Sequence, residues 1–282
     1  MSGILRIREI YEELTPAEKK LASYVLEHGE QVVGLAASDF AELCDTSPAS
    51  VIRFVKKLGF EGLQDFKIDI AKGLALKLNN QENVYEAVTV HDSTRDIISK
   101  IARGNIKAIE DTMGMLDEKS VAEAIQALIE AKHINIYGVG ASGLVAQDLQ
   151  YKLMRISKSV SMYMDSHTQL TSSIHMKKGD VAIGISHSGR TMEVFKALEK
   201  SKLRGARTIS ITKYGSSPIS DIADIKLYTA SVEKHLRTGA IASRIAQLTV
   251  VDIIFIGVAR NNFSEIARFI QDTRDMVEDL KI

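Results

Sequence analysis

The stretch Ile134-Asn-Ile-Tyr-Gly138-Val-Gly140-Ala-Ser142-Gly143 decides the fold, because a short β-rich run breaks there into glycines and then into a helical pattern. Glycines allow a backbone to approach an anion closely, and the helix that follows supplies unpaired N–H groups and a positive dipole end. The same alternation recurs around it. His133 to Tyr137, Val160 to Met164, Asp180 to Ile185, Thr208 to Thr212 and Lys226 to Thr229 read as strands. Helical stretches of about 12 to 15 residues separate most of them, as right-handed βαβ units require. The expectation is a doubly wound α/β domain, a parallel sheet with helices on both faces and so three layers. Two helical stretches, about 94–116 and 118–131, precede the sheet, and two more, roughly 240–260 and 264–280, close the chain.

Upstream the period changes. Over residues 1–77 the apolar positions recur at helical spacing with no strand-like alternation. Thr15-Pro16-Ala17-Glu18 reads as a capping box with proline at the first helical position. Further helix starts stand at Ser38 and at Ser47-Pro48, the latter running through Leu58 and stopping at Gly59, and a fourth helix spans about Leu63 to Lys77. The polar, weakly patterned run 78–93 reads as a linker. The expected architecture is therefore α + α/β in two domains: a helical bundle at 1–77, a linker at 78–93 and the doubly wound α/β domain at 94–282.

Within the bundle, Ala37 to Phe60 places a helix, a tight turn at Asp45-Thr46 and a second helix capped by Ser47. In the second helix Val51, Phe54, Val55 and Leu58 fall at i, i+3, i+4 and i+7 and form one buried stripe. The other face carries Ala49, Ser50, Arg53, Lys56 and Lys57. Small and hydroxyl residues near a helix N-terminus let it approach base edges, an arginine can pair bidentately with guanine, and lysines hold phosphates. Ser47, Ala49, Ser50, Arg53, Lys56 and Lys57 are thus the candidate contacts to double-stranded DNA, although the same spacing also suits a plain solvated face.

Charge qualifies that reading. The 282-residue chain carries 36 Lys+Arg and 36 Asp+Glu, which excludes binding to nucleic acid by bulk basicity. Residues 1–77 hold 10 basic and 12 acidic side chains, whereas 47–77 hold 6 and 3, so the positive charge is local to the proposed reading helix and its successor. A single head with so few cations binds DNA weakly at physiological salt, because affinity scales with the phosphates neutralised. Two heads in a homodimer or tetramer repair this, and the α/β part is the natural place to pair. Cys44 is the only cysteine, which excludes an internal disulfide framework and fits a reducing, cytoplasmic setting. Acidic residues at Glu9, Glu12 and Glu13 argue against a signal peptide, and the apolar run Leu248 to Ala259, broken by Asp252, is short for a membrane span.

Ser47-Pro-Ala-Ser-Val-Ile-Arg-Phe-Val-Lys-Lys-Leu-Gly-Phe-Glu-Gly-Leu, with Asp39-Phe-Ala-Glu-Leu before it, resembles the N-terminal helix-turn-helix of the RpiR family of bacterial transcription regulators. The likeness covers about residues 4–77. It implies a DNA-binding head.

A second loop in the α/β part separates two readings of the first. Taken alone, Gly138-Val-Gly140-Ala-Ser142-Gly143 is also a G-x-G-x-x-G, with Asp165 near the place of a ribose-binding acid. Ile185-Ser186-His187-Ser188-Gly189-Arg190-Thr191 is again a strand-to-helix passage, with three hydroxyls in six residues. A dinucleotide fold has no need of that second cluster, whereas a phosphate monoester held between two loops does. One helix cap at Ser188 or Thr191 would account for only one of the hydroxyls. Arg190 suits either a ligand contact or a solvent-side cap.

These loops, with Thr212 ending a later strand and Ser216-Ser217-Pro218 opening a short helix, resemble a SIS domain, the sugar-isomerase fold, over about residues 118–260. The resemblance implies phosphate contacts from Ser142, Ser186, Ser188 and Thr191, with backbone help from Gly143, His187 and Gly189 beside the turn at Gly140. It also places Glu233, in Ser231-Val-Glu233-Lys-His235-Leu-Arg237, near the sugar. An aldose–ketose isomerase needs a positioned base and usually a second acid or base. Glu233 and His235 are candidates, but a binding role for Glu233 is the assignment made. The histidines lack metal-ligand spacing, and no Gly-x-Ser-x-Gly elbow occurs. The expectation is a regulator, not an enzyme, that uses no cofactor or metal and no membrane. Its operator affinity responds to a phosphosugar, and the alternative is a sugar-phosphate isomerase with a helical assembly domain.

Overall fold

The computed structural model describes residues 3–77, 88–89, 91–230 and 240–276, the side chains of 72–77, 262–267 and 270 excepted. The chain divides into two compact units, Met1–Gly104 and Asn105–Ile282, so the division falls inside a helix, α6, rather than in the polar run before it.

The first unit contains α1 (Gly3–Ile10), a 3-10 turn at Tyr11–Glu13, α2 (Pro16–Gly34), α3 (Ala37–Leu43), α4 (Pro48–Lys57), α5 (Leu63–Lys77) and the start of α6 (Thr94–Met115). The helix α1 has no counterpart in the sequence reading. The capping box is present: the Thr15 hydroxyl accepts from Glu18 N–H while the Glu18 carboxylate accepts from Thr15 N–H. The start at Ser38 is shifted. Helix α3 begins at Ala37 after Ala36, which has no side chain to cap with, and the Ser38 hydroxyl donates to Asp39 instead. Ile7, Leu21, Val25, Phe40, Phe54, Phe66 and Ile70 are fully buried and form the core on which the bundle closes.

The turn between α3 and α4 needs a left-handed residue, and Asp45 supplies it at φ 47°. Aspartate tolerates that region better than most side chains. The Ser47 hydroxyl accepts from Ser50 N–H to cap α4, and Gly59 at φ 81° ends it. Val51, Phe54, Val55 and Leu58 are all buried, so the opposite face of α4 is held outward.

The second unit adds α7 (Glu118–Glu130), β1 (Ile134–Gly138), α8 (Ala141–Met154), β2 (Val160–Met162), α9 (Ser166–Ser173), β3 (Val181–Ile185) and α10 (Met192–Leu203). It continues with β4 (Arg207–Lys213), α11 (Pro218–Ile222), β5 (Ile225–Thr229), α12 (Ile241–Ala259), a 3-10 turn at Arg260–Asn262 and α13 (Phe263–Asp275). All five strands pair in parallel in the order β2-β1-β3-β4-β5. One sheet face, with Ile136, Ile183, Ile209 and Leu227, packs on α7, α8 and α12, and the other, with Tyr137 and Ala182, packs on α10 and its neighbours. This is the three-layer αβα arrangement, and β1 and β3 are buried at every position because helices cover both faces.

Helix α12 is long and apolar enough to cross a membrane by length and composition, and it extends further toward the N-terminus than the apolar run seen in the sequence. Val250, Val251 and Ile254 seat it in the sheet core, and Lys152 of α8 pairs with its Asp252. That is the environment of a core helix.

Candidate functional site

The strand order fixes where a ligand can sit. With β1 flanked by β2 on one side and β3 on the other, the chain leaves β1 toward α8 on one face and leaves β3 toward α10 on the opposite face. The crevice beyond the strand ends at such a switch point is where open α/β sheets bind ligands. The loops that open into it are Val139-Gly140 and Ser186-Thr191, the two that the sequence nominated.

Both helices at this point start without a side-chain cap. Gly140, at φ 59°, occupies the N-cap of α8, and Thr191 occupies that of α10 without capping it. Elsewhere in this unit Asp117, Asp165 and Ser217 cap α7, α9 and α11, while α12 also starts without a side-chain cap, at Ala240. Uncapped N-termini keep their N–H groups and positive dipole ends available to an anion.

The hydroxyls stand around these ends. The Ser186 and Thr191 hydroxyls lie 2.9 Å apart, and the Ser188 hydroxyl accepts from Arg190 N–H at 3.2 Å. Ser142 is buried and donates to Gln247 Oε1 at 3.2 Å. The β3 loop is pinned to the next strand, since Ser186 N–H donates to Ile211 C=O and Lys213 N–H donates to His187 C=O. Thr212 and Ser210 on β4 are buried, and neither hydroxyl has a hydrogen-bond partner. Among the described residues no three His, Cys, Asp or Glu side chains gather as a metal centre would need.

Two glycines shape the cradle. A Cβ on Gly138 would stand 2.7 Å from the Ser142 carbonyl oxygen, so only glycine lets the α8 N-terminus close over the end of β1. Gly189 sits at φ 65°, and a Cβ there would stand 2.1 Å from the Ser217 hydroxyl. Gly189→Ala is expected to cost about 1–2 kcal/mol from the left-handed backbone alone, with displacement of Ser217 on top. Urea unfolding of the purified variant measures the loss, and a midpoint equal to that of the original chain would contradict it.

Asp165 accepts from the Thr168 hydroxyl and N–H at 2.8 and 2.7 Å as the cap of α9. Those bonds hold its carboxyl below the usual aspartate range. A carboxylate committed to its own helix is a poor ribose acceptor, which weighs against a dinucleotide. Glu233, like the rest of 231–239, lies outside the described residues.

Sequence reasoning passed over two glutamines. The Gln169 amide accepts from Gly138 N–H at 3.1 Å and donates to Gly138 C=O at 2.8 Å and Tyr163 C=O at 2.7 Å, so it clamps the ends of β1 and β2. Nothing local in the sequence marks it. Gln247 stands behind Ser142, and its one signal was an amide inside the apolar stretch that becomes α12.

On the helical unit, Ser47, Ala49, Arg53, Lys56 and Lys57 are exposed and Ser50 is half-buried. Arg53 donates to the Ser50 hydroxyl at 3.3 Å, and that hydroxyl lies 3.0 Å from Ser47 Oγ. Lys57 differs from the others, because its ammonium is 2.8 Å from the Glu18 carboxylate of α2. Burial pushes the Glu18 carboxyl up, but hydrogen bonds from Lys57 and Thr15 outweigh it and hold the group below the usual range.

The comparisons with known proteins fall on the same two parts. The family model described as "Helix-turn-helix domain, rpiR family" matches residues 1–77, and the SIS domain model matches 127–257. An uncharacterized HTH-type transcriptional regulator of Caldanaerobacter subterraneus subsp. tengcongensis is 44% identical, covering 98% of this chain and 97% of its own. YbbH of Bacillus subtilis, also described as an uncharacterized HTH-type transcriptional regulator, is 34% identical over 99% of this chain and 98% of its own. The Vibrio vulnificus NanR protein, solved as a complex with ManNAc-6P, superposes with a TM-score of 0.63 at 28% identity, covering 99% of each chain.

Proposed function

This chain belongs to the rpiR family of helix-turn-helix transcriptional regulators with a SIS domain, and from that premise we propose that a phosphosugar bound between the loops after β1 and β3 sets its affinity for an operator. The observation that carries the proposal is the pair of uncapped helix N-termini at the switch point, ringed by the hydroxyls of Ser142, Ser186, Ser188 and Thr191. A phosphate monoester is a compact dianion with several acceptor oxygens, which hydroxyl and N–H donors suit. NanR, complexed with ManNAc-6P, supports a hexose phosphate as the ligand class.

In this reading Gly140, Gly143, His187 and Gly189 lend backbone to the phosphate, and Glu233 accepts from a sugar hydroxyl. The α4 face with Ser47, Ala49, Ser50, Arg53, Lys56 and Lys57 enters the major groove, and pairing of the α/β parts brings two heads to a two-fold operator. The protein works in the cytoplasm by binding rather than turnover. Its operative parts are residues 1–77 and 94–282, joined by 78–93. A coupling free energy of about 1–3 kcal/mol between sugar and DNA changes operator affinity roughly 5- to 150-fold.

The test is fluorescence anisotropy of labelled DNA from upstream of the gene, against a scrambled duplex, with and without a pool of sugar phosphates. Specific binding that shifts with the pool is the expected result. Absence of preference over the scrambled duplex at low and moderate salt would discard the regulatory reading in favour of an isomerase, which a turnover assay on the same pool would then detect.

A further inference from the structure

Gln247 is a polar side chain of α12 that reaches Ser142 in the first turn of α8, and its hydrogen bonding is lopsided. It is 1% exposed in a helix whose neighbouring turns, Val250, Val251 and Ile254, serve the apolar core. An amide offers two N–H donors and a carbonyl acceptor. Here Oε1 accepts from the Ser142 hydroxyl at 3.2 Å, while Nε2 is buried with no partner. A buried amide N–H₂ without an acceptor is costly, and a fold that only needed to fill this space would place an apolar side chain there.

The cost has a use at this position. While the Ser142 O–H points back to Gln247 Oε1, its proton is turned away from the crevice. Half a turn of the amide about its last torsion brings Nε2 to the Ser142 oxygen instead. The amide then donates to the hydroxyl, and the hydroxyl donates its own proton forward to an anion. The carbonyl is left as the under-satisfied group, which buried structures tolerate better than an orphaned N–H. Donors arranged in such a chain polarise one another.

We propose that Gln247 is a positioning residue that acts through Ser142, its amide turning to switch the Ser142 hydroxyl from an inward bond to one that donates to a bound phosphate, so that occupation of the loop is registered on α12. This rests on the reading of the loops as a phosphate site, and it assigns Gln247 no contact of its own with the ligand.

The test is calorimetric titration of the full chain with N-acetylmannosamine 6-phosphate, glucose 6-phosphate and inorganic phosphate as probes, using the tightest binder for the variants. Ser142→Ala and Gln247→Met are each expected to weaken it about tenfold, the effect of one hydrogen bond to a charged group. The double variant should be no weaker than Ser142→Ala alone, because Gln247 acts only through that hydroxyl. Gln247→Glu, which can only accept, should weaken the probe more than Gln247→Met does. A double variant near a hundredfold weaker, or a Gln247→Met that binds like the original chain, would overturn the proposal.

Should Gln247→Met fail to fold, the side-chain amide resonance of Gln247 in the original chain decides. It should shift on saturation with the probe and stay in place in Ser142→Ala. A resonance that ignores the probe, or one that shifts equally in Ser142→Ala, would refute the switch. Failure of the underlying reading looks different, since no probe would bind the original chain, and the proposal would fall with it.

Discussion

Replacing Ser186 and Ser188 together by alanine is expected to abolish the response of DNA binding to a phosphosugar and to leave the affinity for operator alone where it was. The two hydroxyls sit in the loop that leaves β3 at the switch point, and their environments differ. Ser186 is 3% exposed and shares its hydrogen bond with Thr191, whereas Ser188 accepts from Arg190 N–H and keeps its proton available. Each hydroxyl donated to a phosphate dianion is worth about 1.5–3 kcal/mol, so loss of both weakens the sugar by roughly two to four orders of magnitude. That exceeds the range over which a cellular sugar phosphate could compensate. The backbone that shapes the loop is untouched, because Ser186 N–H still reaches Ile211 and Ile219 N–H still reaches Gly189. Anisotropy titrations of operator DNA at rising sugar phosphate, with calorimetry of the sugar alone, check both halves. A double variant that still responds at the same sugar concentration would remove this loop from the site.

The site's location follows from topology more than from any one residue. All five strands were legible as β-rich runs between helical stretches, and once β1 and β3 are neighbours the loops after them must open into one crevice. The hydroxyl cluster was legible for the same reason, since it is contiguous in the chain. Gln169 and Gln247 were not, because each works through a contact that spans the chain, 31 residues to Gly138 and 105 residues to Ser142. The pairing of Lys57 with Glu18 was hidden in the same way, as it depends on how α2 lies against α4. Helix α1 escaped because its apolar positions Ile4, Ile7 and Ile10 span too few turns to establish a period. Spacing reveals what is local, and burial of polar groups reveals what packing brings together.

One further contact ties α6 to the end of β5. The Thr112 hydroxyl donates to Ala230 C=O at 3.3 Å and accepts from Ala230 N–H at 3.1 Å, and both residues are buried. Ala230 is where the chain leaves β5 for the segment that carries Glu233. Thr112 belongs to α6, the helix that runs without a break from Thr94 to Met115 across the division between the units.

At the DNA end the proposed base-reading residue is Arg53, and Arg53→Ala is expected to collapse the preference for operator over scrambled DNA. The guanidinium lies on the exposed face of α4, braced by the Ser50 hydroxyl, and α4 is held in place by the fully buried Val51, Phe54 and Val55. Truncation therefore removes a contact without disturbing the fold. A bidentate arginine–guanine pair discriminates by about 1–3 kcal/mol. Two heads on a two-fold operator lose it twice, which is roughly 30-fold at the low end and far more at the high end. Arg53→Lys keeps the charge but loses the planar fork, so it should restore salt-dependent binding without restoring the preference. Lys56→Ala makes the opposite change, lowering affinity for both duplexes alike and reducing the salt slope by about one per head. Lys57→Ala changes the salt slope less than Lys56→Ala, because the Lys57 ammonium is already engaged by Glu18. Anisotropy against both duplexes across a salt series separates the four variants, and an Arg53→Ala that keeps its preference while losing affinity would reassign Arg53 from base reading to the phosphate backbone.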